Sequence, residues 1–471
     1  MHGRAPAEVV TVVIQDLVAR TPSSRRRELD LLRAAAISAV VLGHWLIVTV
    51  ERTSDGQLTG FSALPALPEA HALTWLFQVM PVFFLVGGAA NAISWTNRRT
   101  RGGTATSWLL DRSARLFPPV TVFLLVVAGC AAVARLLGVP LDAVAQAVAL
   151  VVLPLWFLVV YLAVTALTPL THRLHERHGL GVPAVLVAGV AVGDVLRLAT
   201  GNELAAAASF AFGWIAIHQV GYAWHDGTLR LGTRQAVTLV VVGLGTLLLL
   251  TGPGPYPVSM VTVSGAAIQN SSPPSLALLA LAATQLGLVA LVARRSRRWL
   301  ARPRPWTLVV AVNTVVVTVY LWHLVAALVG AYALDTLGLL PPSDPGTVEW
   351  WLGRVPWLVA LAAILAVLVV LLVPVETRAA ARRSPAGAVD GRRARAAAGL
   401  AASLARTGPV VGAYAAAVAG LLWLTVAGDT GGLRGPLAIP AGALVLVLGS
   451  AVVLRFGRAG APLRSAPEPS R

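Results

Sequence analysis

Residues 25–45 read RRRELDLLRAAAISAVVLGHW, in which three arginines lead into a long apolar segment. The segment has the composition of a membrane-spanning helix, and it carries an ionisable side chain, His44, well inside it. In a helix of about 3.6 residues per turn, Arg33 and His44 point in nearly the same direction, about 16 Å apart along the axis, and Asp30 falls within about 60° of that face. The stretch predicts a transmembrane helix with a polar stripe that runs from its arginine-rich end to a buried imidazole.

The composition of the whole chain is that of a membrane protein. Of its 471 residues, 57% are hydrophobic and only 12% are charged, and the mean hydropathy is +0.76. A soluble protein could not keep so much apolar surface from water, and apolar segments near the length of about 20 residues that a span needs recur along the chain. We therefore predict an all-α, polytopic transmembrane helical bundle of about twelve spans.

Two of these spans contain residues that disturb a simple helix. The fourth carries Pro154, which predicts a kink, and the fifth is the weakest because Asp194 and Arg197 lie near its end. The predicted spans are residues 33–50, 73–95, 117–137, 144–170, 182–199, 204–224, 233–251, 275–293, 307–333, 350–375, 408–428 and 436–456.

Arginine supplies every positive side chain apart from histidine, and the net charge is +17. Most arginines fall in the segments on one side of the predicted spans, and the other side holds only Arg52, Arg197, Arg354 and Arg434. This pattern is typical of membrane orientation and contact with anionic membrane lipids rather than of nucleic-acid binding. It predicts a multi-pass protein of the cell inner (plasma) membrane with both termini in the cytoplasm.

The chain changes character once, in a stretch rich in arginine and alanine that contains Ser-Pro and Asp-Gly. We interpret this stretch, residues 377–407, as a basic cytoplasmic linker. Residues 25–376 before it form a predicted ten-helix membrane core, and residues 408–456 after it form a predicted transmembrane hairpin. Residues 1–24 and 457–471 are predicted cytoplasmic segments.

A histidine inside an apolar helix, such as His44, can have either of two roles. It is a packing residue that is hydrogen-bonded to a neighbouring helix, or it is functional, because ionisable groups inside a membrane are costly. Its alignment with Arg33 and Asp30 favours function. A neutral imidazole can accept a proton from a hydroxyl as a general base near neutral pH.

The second predicted span contains QVMPVFFLVGGAANAISW at residues 78–95. Gln78 and Asn91 are polar groups that could line a cavity. Gly87 and Gly88 permit close approach of another helix, and ordinary packing is the simpler interpretation of both.

Polar residues also occur in the sixth and ninth predicted spans. His218 lies about two turns from the cytoplasmic end of its helix, and Tyr320 and His323 share a helix face because they are three residues apart. A position at the membrane–water interface is also open for His323. The aromatic residues interpreted as interface anchors are Tyr222, Trp224 and Trp322.

The loop after the second predicted span ends in SWLLDRSARLFPPV. Arg112 and Arg115 share a helix face, and two guanidiniums can clamp a phosphate, although simple membrane anchoring is the alternative for both. The sequence Phe-Pro-Pro at 117–119 is expected to mark the start of the third span. No spacing of ligand residues predicts a metal site.

These segments together resemble the bacterial acyltransferase-3 family of integral membrane O-acyltransferases. That family carries Arg or Lys, ten residues and then His in its first helix, which correspond to Arg33 and His44 here. It carries Arg-x-x-Arg after the second helix, which corresponds to Arg112 and Arg115. MPVFFLVGGAANA is similar to its second-helix motif and TVYLWHLV to its late Tyr-x-x-His helix, although Gly87 stands where the family usually has a serine.

The resemblance covers about residues 25–376 and implies an acyl-CoA-dependent reaction with no tightly bound cofactor. Acyl-CoA would be a co-substrate whose phosphates meet Arg112 and Arg115, with Arg33 as a further contact. Its acyl arm would extend toward His44, which would deprotonate an acceptor hydroxyl or carry the acyl group. The acceptor would typically be a sugar of an envelope glycan, a glycolipid or a glycosylated metabolite, and the acyl group would be short, such as acetyl.

Two other functions compete with this one. A polytopic transporter or flippase for a glycan or lipid-linked substrate would be supported by broken helices in paired positions, which the sequence does not show. A structural or regulatory membrane subunit need not keep polar groups at depth, so the buried histidines argue against it.

Overall fold

The structure of this protein is a computed structural model, and within the part of the chain that it describes it is almost entirely helical. In that part, twelve helical segments are long and apolar enough to cross a membrane. The predicted all-α, polytopic helical bundle is therefore confirmed. Much of the predicted cytoplasmic segments 1–24, 377–407 and 457–471 lies outside the described residues. The described residues are 15–460 without 17, 23–24, 55, 382–398 and 433–434.

The chain forms fourteen principal helices and one short hairpin in its described part. Strands β1 (Val48–Arg52) and β2 (Leu58–Ser62) are antiparallel, with Val48 opposite Ser62. The helices are α1 Arg27–Ile47, α2 Met80–Thr100, α3 Ala105–Leu136, α4 Leu141–Val152, α5 Leu155–His178, α6 Gly181–Thr200, α7 Ser209–Asp226, α8 Thr233–Thr251, α9 Leu276–Leu300, α10 Pro303–Thr314, α11 Val316–Thr336, α12 Val348–Ala381, α13 Thr407–Asp429 and α14 Ala441–Gly460.

The chain divides into two compact units. The first unit comprises the described residues up to Ser94 together with Thr168–Leu372, and within it α1 packs against α9, α10 and α11. The second unit comprises Trp95–Leu167 and the described residues from Val373 onward, and within it the hairpin of α13 and α14 packs against α3 and α4.

Helix α3 corrects one prediction about where a span begins. Pro118 and Pro119 lie inside this helix, so they do not separate a loop from the third span. The helix begins instead after Thr104, whose hydroxyl accepts from the backbone N–H of Ser107 at 3.2 Å while the Ser107 hydroxyl accepts from the backbone N–H of Thr104. This reciprocal cap fixes the start, and prolines are tolerated in membrane helices where neighbours satisfy the freed carbonyls.

Two predicted spans are each divided into two helices. The kink expected at Pro154 is a complete break between α4 and α5, because proline lacks the N–H that would continue the helical hydrogen bonds. The ninth span breaks at Val315, where no proline occurs. There the side chain of Asn313 donates to the carbonyl of Val309 and also to that of Asp30 on α1, each at 2.8 Å. Side chains that bond back to the backbone in this way compete with the helix.

A buried ion pair within α6 also contacts the segment between α8 and α9. Asp194 and Arg197 are each 1% exposed and lie 3.1 Å apart, from Oδ1 to Nη2. The other oxygen of Asp194 accepts from the hydroxyl of Tyr256 at 2.7 Å and from the backbone N–H of Leu276 at 2.8 Å. Burial, and then the adjacent carboxylate of Asp194, raise the pKa of Tyr256, so this hydroxyl remains a donor.

Loss of one partner of this pair should be strongly destabilising. We expect Arg197→Met to lower the free energy of unfolding by about 3–5 kcal/mol, because it leaves the carboxylate of Asp194 buried without its cation. The second substitution Asp194→Asn removes that charge and should restore part of the loss. Thermal unfolding of the purified protein in detergent measures both effects, and a double variant no more stable than Arg197→Met would contradict the ion-pair explanation.

Candidate active site

Two histidines from distant parts of the sequence meet in the first unit. The Nδ1 atom of His44 on α1 lies 2.8 Å from Nε2 of His323 on α11, and the ring planes are 13° apart with their centroids 5.0 Å apart. His323 is completely buried, whereas His44 is partly exposed. Nδ1 of His323 in turn lies 2.7 Å from the backbone carbonyl oxygen of Tyr320. The pair is a hydrogen-bonded imidazole chain that ends on a carbonyl group.

Indole groups tie the helices together around this pair. The indole N–H of Trp45 donates to the carbonyl oxygen of His323 at 2.8 Å, and that of Trp357 on α12 donates to the carbonyl oxygen of Trp45 at 2.9 Å. Trp322 is 2% exposed and His323 is fully buried, so the interpretation of either residue as a membrane-interface residue is wrong. His323 faces α1, against which α11 packs within the first unit.

The polar end of α1 carries a carboxylate between two guanidiniums. Asp30 is 6% exposed and accepts from Arg25 through both oxygens, at 2.7 Å and 3.0 Å. Arg33 lies on the other side, with Nη1 3.6 Å from Oδ1 of Asp30. The side chain of Arg33 keeps 32% of its surface exposed, so it remains open to an anionic ligand.

Further arginines surround this end of α1. Glu28 is 4% exposed and accepts from Arg26 at 2.9 Å and from Arg297 at 3.4 Å. The guanidinium of Arg26 also lies 4.6 Å from the ring centre of Trp224, which is consistent with the interpretation of that tryptophan as an anchor near a basic surface. The two buried carboxylates thus hold four arginines in place, and the charge of the cluster remains positive.

Asn91 and His218 form a second polar contact inside the first unit. The amide nitrogen of Asn91 on α2 donates to Nε2 of His218 on α7 at 3.2 Å and to the hydroxyl of Thr168 on α5 at 3.4 Å. The helices can approach this closely because a Cβ on Gly88 would lie 2.0 Å from the carbonyl oxygen of His218. The prediction that Gly88 serves close helix packing is confirmed.

Tyr222 lies in a group of histidines that the sequence interpretation did not connect. Its ring centre is 5.0 Å from that of His218, 5.3 Å from that of His172 and 5.8 Å from that of His175. The side chain is fully buried, so its interpretation as an interface anchor is wrong. His175 also contacts Asp226 at 2.7 Å. The spacing of His172 and His175 in THRLHERH was the available signal, since residues three apart share a helix face.

Gln78 and the two arginines of the Arg-x-x-Arg motif lie elsewhere. The amide of Gln78 donates to the carbonyl oxygen of Met260 at 2.7 Å and so fixes the segment before α2. Arg112 and Arg115 lie on α3 in the second unit, three residues apart on one helix face as predicted. The guanidinium of Arg112 is 5.2 Å from the ring centre of Trp108, and Arg115 is exposed.

The structure thus brings His44 to His323, Asp30 to Arg33 and Asn91 to His218, each by direct contact. His44 combines partial exposure with a hydrogen-bonded imidazole behind it. That combination is suited to moving a proton to or from a bound hydroxyl.

The comparison with protein families agrees with this chemistry. The model of the acyltransferase-3 family, described as an acyltransferase domain, matches residues 26–374. The match covers most of the chain, so the protein belongs to the acyltransferase-3 family and is a membrane acyltransferase. No curated protein and no solved structure matches the chain significantly.

Proposed function

We propose that this protein transfers an acyl group from cytoplasmic acyl-CoA to a hydroxyl group of a sugar. The acceptor would belong to an envelope glycan, a glycolipid or a glycosylated metabolite, and the acyl group would be acetyl or similarly short. The observation that carries the proposal is the contact of His44, a partly exposed residue, with the imidazole of His323 behind it, in a chain of the acyltransferase-3 family.

In the proposed reaction His44 acts as the base. The acceptor oxygen attacks the thioester carbonyl carbon while its proton passes to the imidazole of His44. The carbon–sulfur bond then breaks, and the imidazolium returns that proton to the thiolate of CoA, which leaves as the free thiol. The atoms balance without an external proton, metal or tightly bound cofactor.

The residues proposed to bind the donor are the arginines that the family pattern identifies, Arg33 in the first unit and Arg112 and Arg115 in the second. Arg33 keeps an exposed guanidinium beside Asp30, and Arg112 and Arg115 share a face of α3. Guanidiniums bind phosphates through paired hydrogen bonds, and acyl-CoA carries a diphosphate and a further phosphate. Asn91, His218 and Tyr320 are proposed as supporting residues, together with Gln78.

The distribution of arginine supports the proposed orientation in the membrane. Loops with many arginines remain in the cytoplasm, which would place both termini there and the protein in the inner (plasma) membrane. We propose residues 25–376 as the catalytic core, followed by a basic linker at 377–407 and a transmembrane hairpin at 408–456.

The test uses the intact protein in lipid vesicles with isotopically labelled acetyl-CoA. We expect release of free CoA thiol that depends on an added envelope-glycan fraction, with the label recovered on that fraction by mass spectrometry. The same acyl group should be missing from the glycans or secreted glycosides of a strain that lacks the protein. Absence of labelled product in the vesicles, together with unchanged acylation in the strain that lacks the protein, would overturn the proposed function.

Arg33 offers a test of the donor site with little risk to folding. In Arg33→Gln the carboxylate of Asp30 keeps its two hydrogen bonds from Arg25, so no buried charge loses its only cation. We expect KM for acyl-CoA to rise about tenfold or more, because a hydrogen bond to a charged group contributes about 1.5–3 kcal/mol. Arg112→Gln and Arg115→Gln should act in the same direction.

The matched control for these variants is Arg20→Gln. Arg20 has 78% of its side chain exposed and pairs with Asp16 on its own segment. An equal KM in Arg33→Gln and Arg20→Gln would remove Arg33 from donor binding.

One feature favours the alternative of a transporter or flippase. The chain is interrupted between α4 and α5 and again between α10 and α11, and discontinuous helices often form substrate sites in transporters. Uptake of a labelled glycan or lipid-linked sugar by vesicles without any acyl donor would support that function. Uptake that requires the acyl donor, or no uptake, would support acyl transfer.

A further inference from the structure

We propose that His323 is a positioning residue that fixes which ring nitrogen of His44 accepts the proton. The catalytic role of His323 rests on the proposed function, whereas the position of the proton on His44 is argued from hydrogen-bond geometry alone. It concerns Nδ1 and Nε2 of His44, which have different neighbours in the structure.

The direction of the hydrogen bonds follows from the group at the end of the chain. The carbonyl oxygen of Tyr320 can only accept, so the Nδ1 atom of His323, 2.7 Å away, must carry the proton and donate it. A neutral imidazole has one N–H and one lone pair, so Nε2 of His323 is then an acceptor. The remaining contact, 2.8 Å from Nε2 of His323 to Nδ1 of His44, therefore requires a proton on Nδ1 of His44.

It follows that the lone pair of His44 lies on Nε2. Nδ1 faces His323 inside the protein, and His44 retains partial exposure although His323 has none. Nε2 is then the nitrogen that takes the proton from the acceptor hydroxyl, and Nδ1 keeps its own proton throughout. When His44 becomes an imidazolium, its Nδ1–H donates more strongly to the lone pair of His323.

His323 has a role here like that of the orienting member of a catalytic triad. In such triads the third residue holds the histidine base in one tautomer, and its loss leaves the base in the wrong form. His323 differs because it is neutral and passes on the preference set by a backbone carbonyl. Tyr320 contributes its main chain to this arrangement, and the helical geometry of α11 supplies the acceptor three residues before His323.

Two amide substitutions separate positioning from packing. The oxygen of a glutamine side chain reaches about as far as Nε2 of histidine, whereas that of asparagine reaches only about as far as Nδ1. His323→Gln can therefore still accept from Nδ1 of His44, and His323→Asn cannot. Both variants keep the carbonyl of residue 323 that accepts from Trp45, so helix docking through that bond is unchanged.

The kinetic experiment measures kcat and KM of these variants in vesicles with acetyl-CoA and the glycan acceptor. We expect His323→Asn and His323→Ala to lower kcat about 100-fold or more, with KM for acetyl-CoA nearly unchanged, and His323→Gln to stay within about tenfold of the native rate. Equal activity of the asparagine and glutamine variants would overturn the inference. A merely structural role would lower the yield of folded protein in both amide variants and leave their kcat equal.

A second readout does not depend on activity. Solid-state ¹⁵N NMR of histidine-labelled protein distinguishes protonated from unprotonated ring nitrogens, and His44→Asn identifies the signals of His44 among the nine histidines. We expect Nδ1 protonated and Nε2 unprotonated in the native protein, and a mixture of tautomers in His323→Asn. A proton on Nε2 of native His44 would overturn the inference. Correct tautomers without any acyl transfer would instead overturn the proposed function and leave the positioning role intact.

Discussion

Replacement of His44 by asparagine is expected to abolish acyl transfer and to leave the protein folded in the membrane. The asparagine amide can still donate to Nε2 of His323 from about the position of Nδ1, so the buried ring keeps its partner. It provides no basic nitrogen, however, and general acid–base catalysis contributes about 10²–10⁴-fold to the rate. Release of CoA thiol and labelling of the acceptor measure the loss.

The control for this variant is His178→Asn, at the exposed end of α5. It should retain full activity, because it makes the same substitution away from the proposed site. Both variants should elute from size-exclusion chromatography like the native protein. Full acyl transfer by His44→Asn would remove His44 from the mechanism, whatever the family pattern implies.

The class of fold could be predicted because membrane spans leave a strong signal in a single sequence. A lipid environment requires about 20 apolar residues for each helix, so the number of spans followed from their length and composition. The breaks inside two of the predicted spans were harder to predict from the sequence. Pro154 indicated one of them, but no proline marks the break at Val315. The amide of Asn313 beside that break bonds to its own helix and also to α1. That second contact joins residues far apart in the sequence.

Hairpin β1–β2 was missed for a related reason. Its strands are five residues each, and β1 follows α1 directly, so the apolar residues at the start of β1 resemble a continuation of the span. The predicted first span accordingly extended to residue 50, whereas α1 ends at Ile47. Short strands carry too few residues for their alternating pattern to stand out from a neighbouring apolar helix.

The individual residues of the candidate site could be predicted from the sequence, but the contacts between them could not. His44 stands out because it is an ionisable residue in an apolar helix, and the same holds for His218 and His323. Which histidine meets which is decided by packing of α1 against α11, and two of the aromatic residues beside them were taken for interface anchors. Tyr222 and Trp322 are buried instead, because an aromatic residue near the end of a span has the same sequence signature in either setting.

The second large predicted effect is on stability, and it comes from the close packing of α2 against α7. Gly88 and Gly221 face each other, since a Cβ on Gly88 would lie 3.2 Å from the Cα of Gly221 and 2.0 Å from the carbonyl oxygen of His218. A Cβ on Gly221 would lie 2.3 Å from the carbonyl oxygen of Leu85. These neighbours are backbone atoms, which cannot rotate away as a side chain can. An added methyl group must therefore push the helices apart.

We expect Gly88→Ala to lower the free energy of unfolding by about 3 kcal/mol or more, which is the upper end of the usual cost of overpacking an interior. The same substitution should weaken the contact between Asn91 and His218, one turn away. The control is Gly245→Ala in α8, where a Cβ would meet nothing within 4 Å. There alanine should be neutral or stabilising by up to about 1 kcal/mol, because glycine is the weaker helix former. Thermal unfolding in detergent compares the two. Equal stability of both variants would mean that α2 and α7 are not held by glycine-mediated contact.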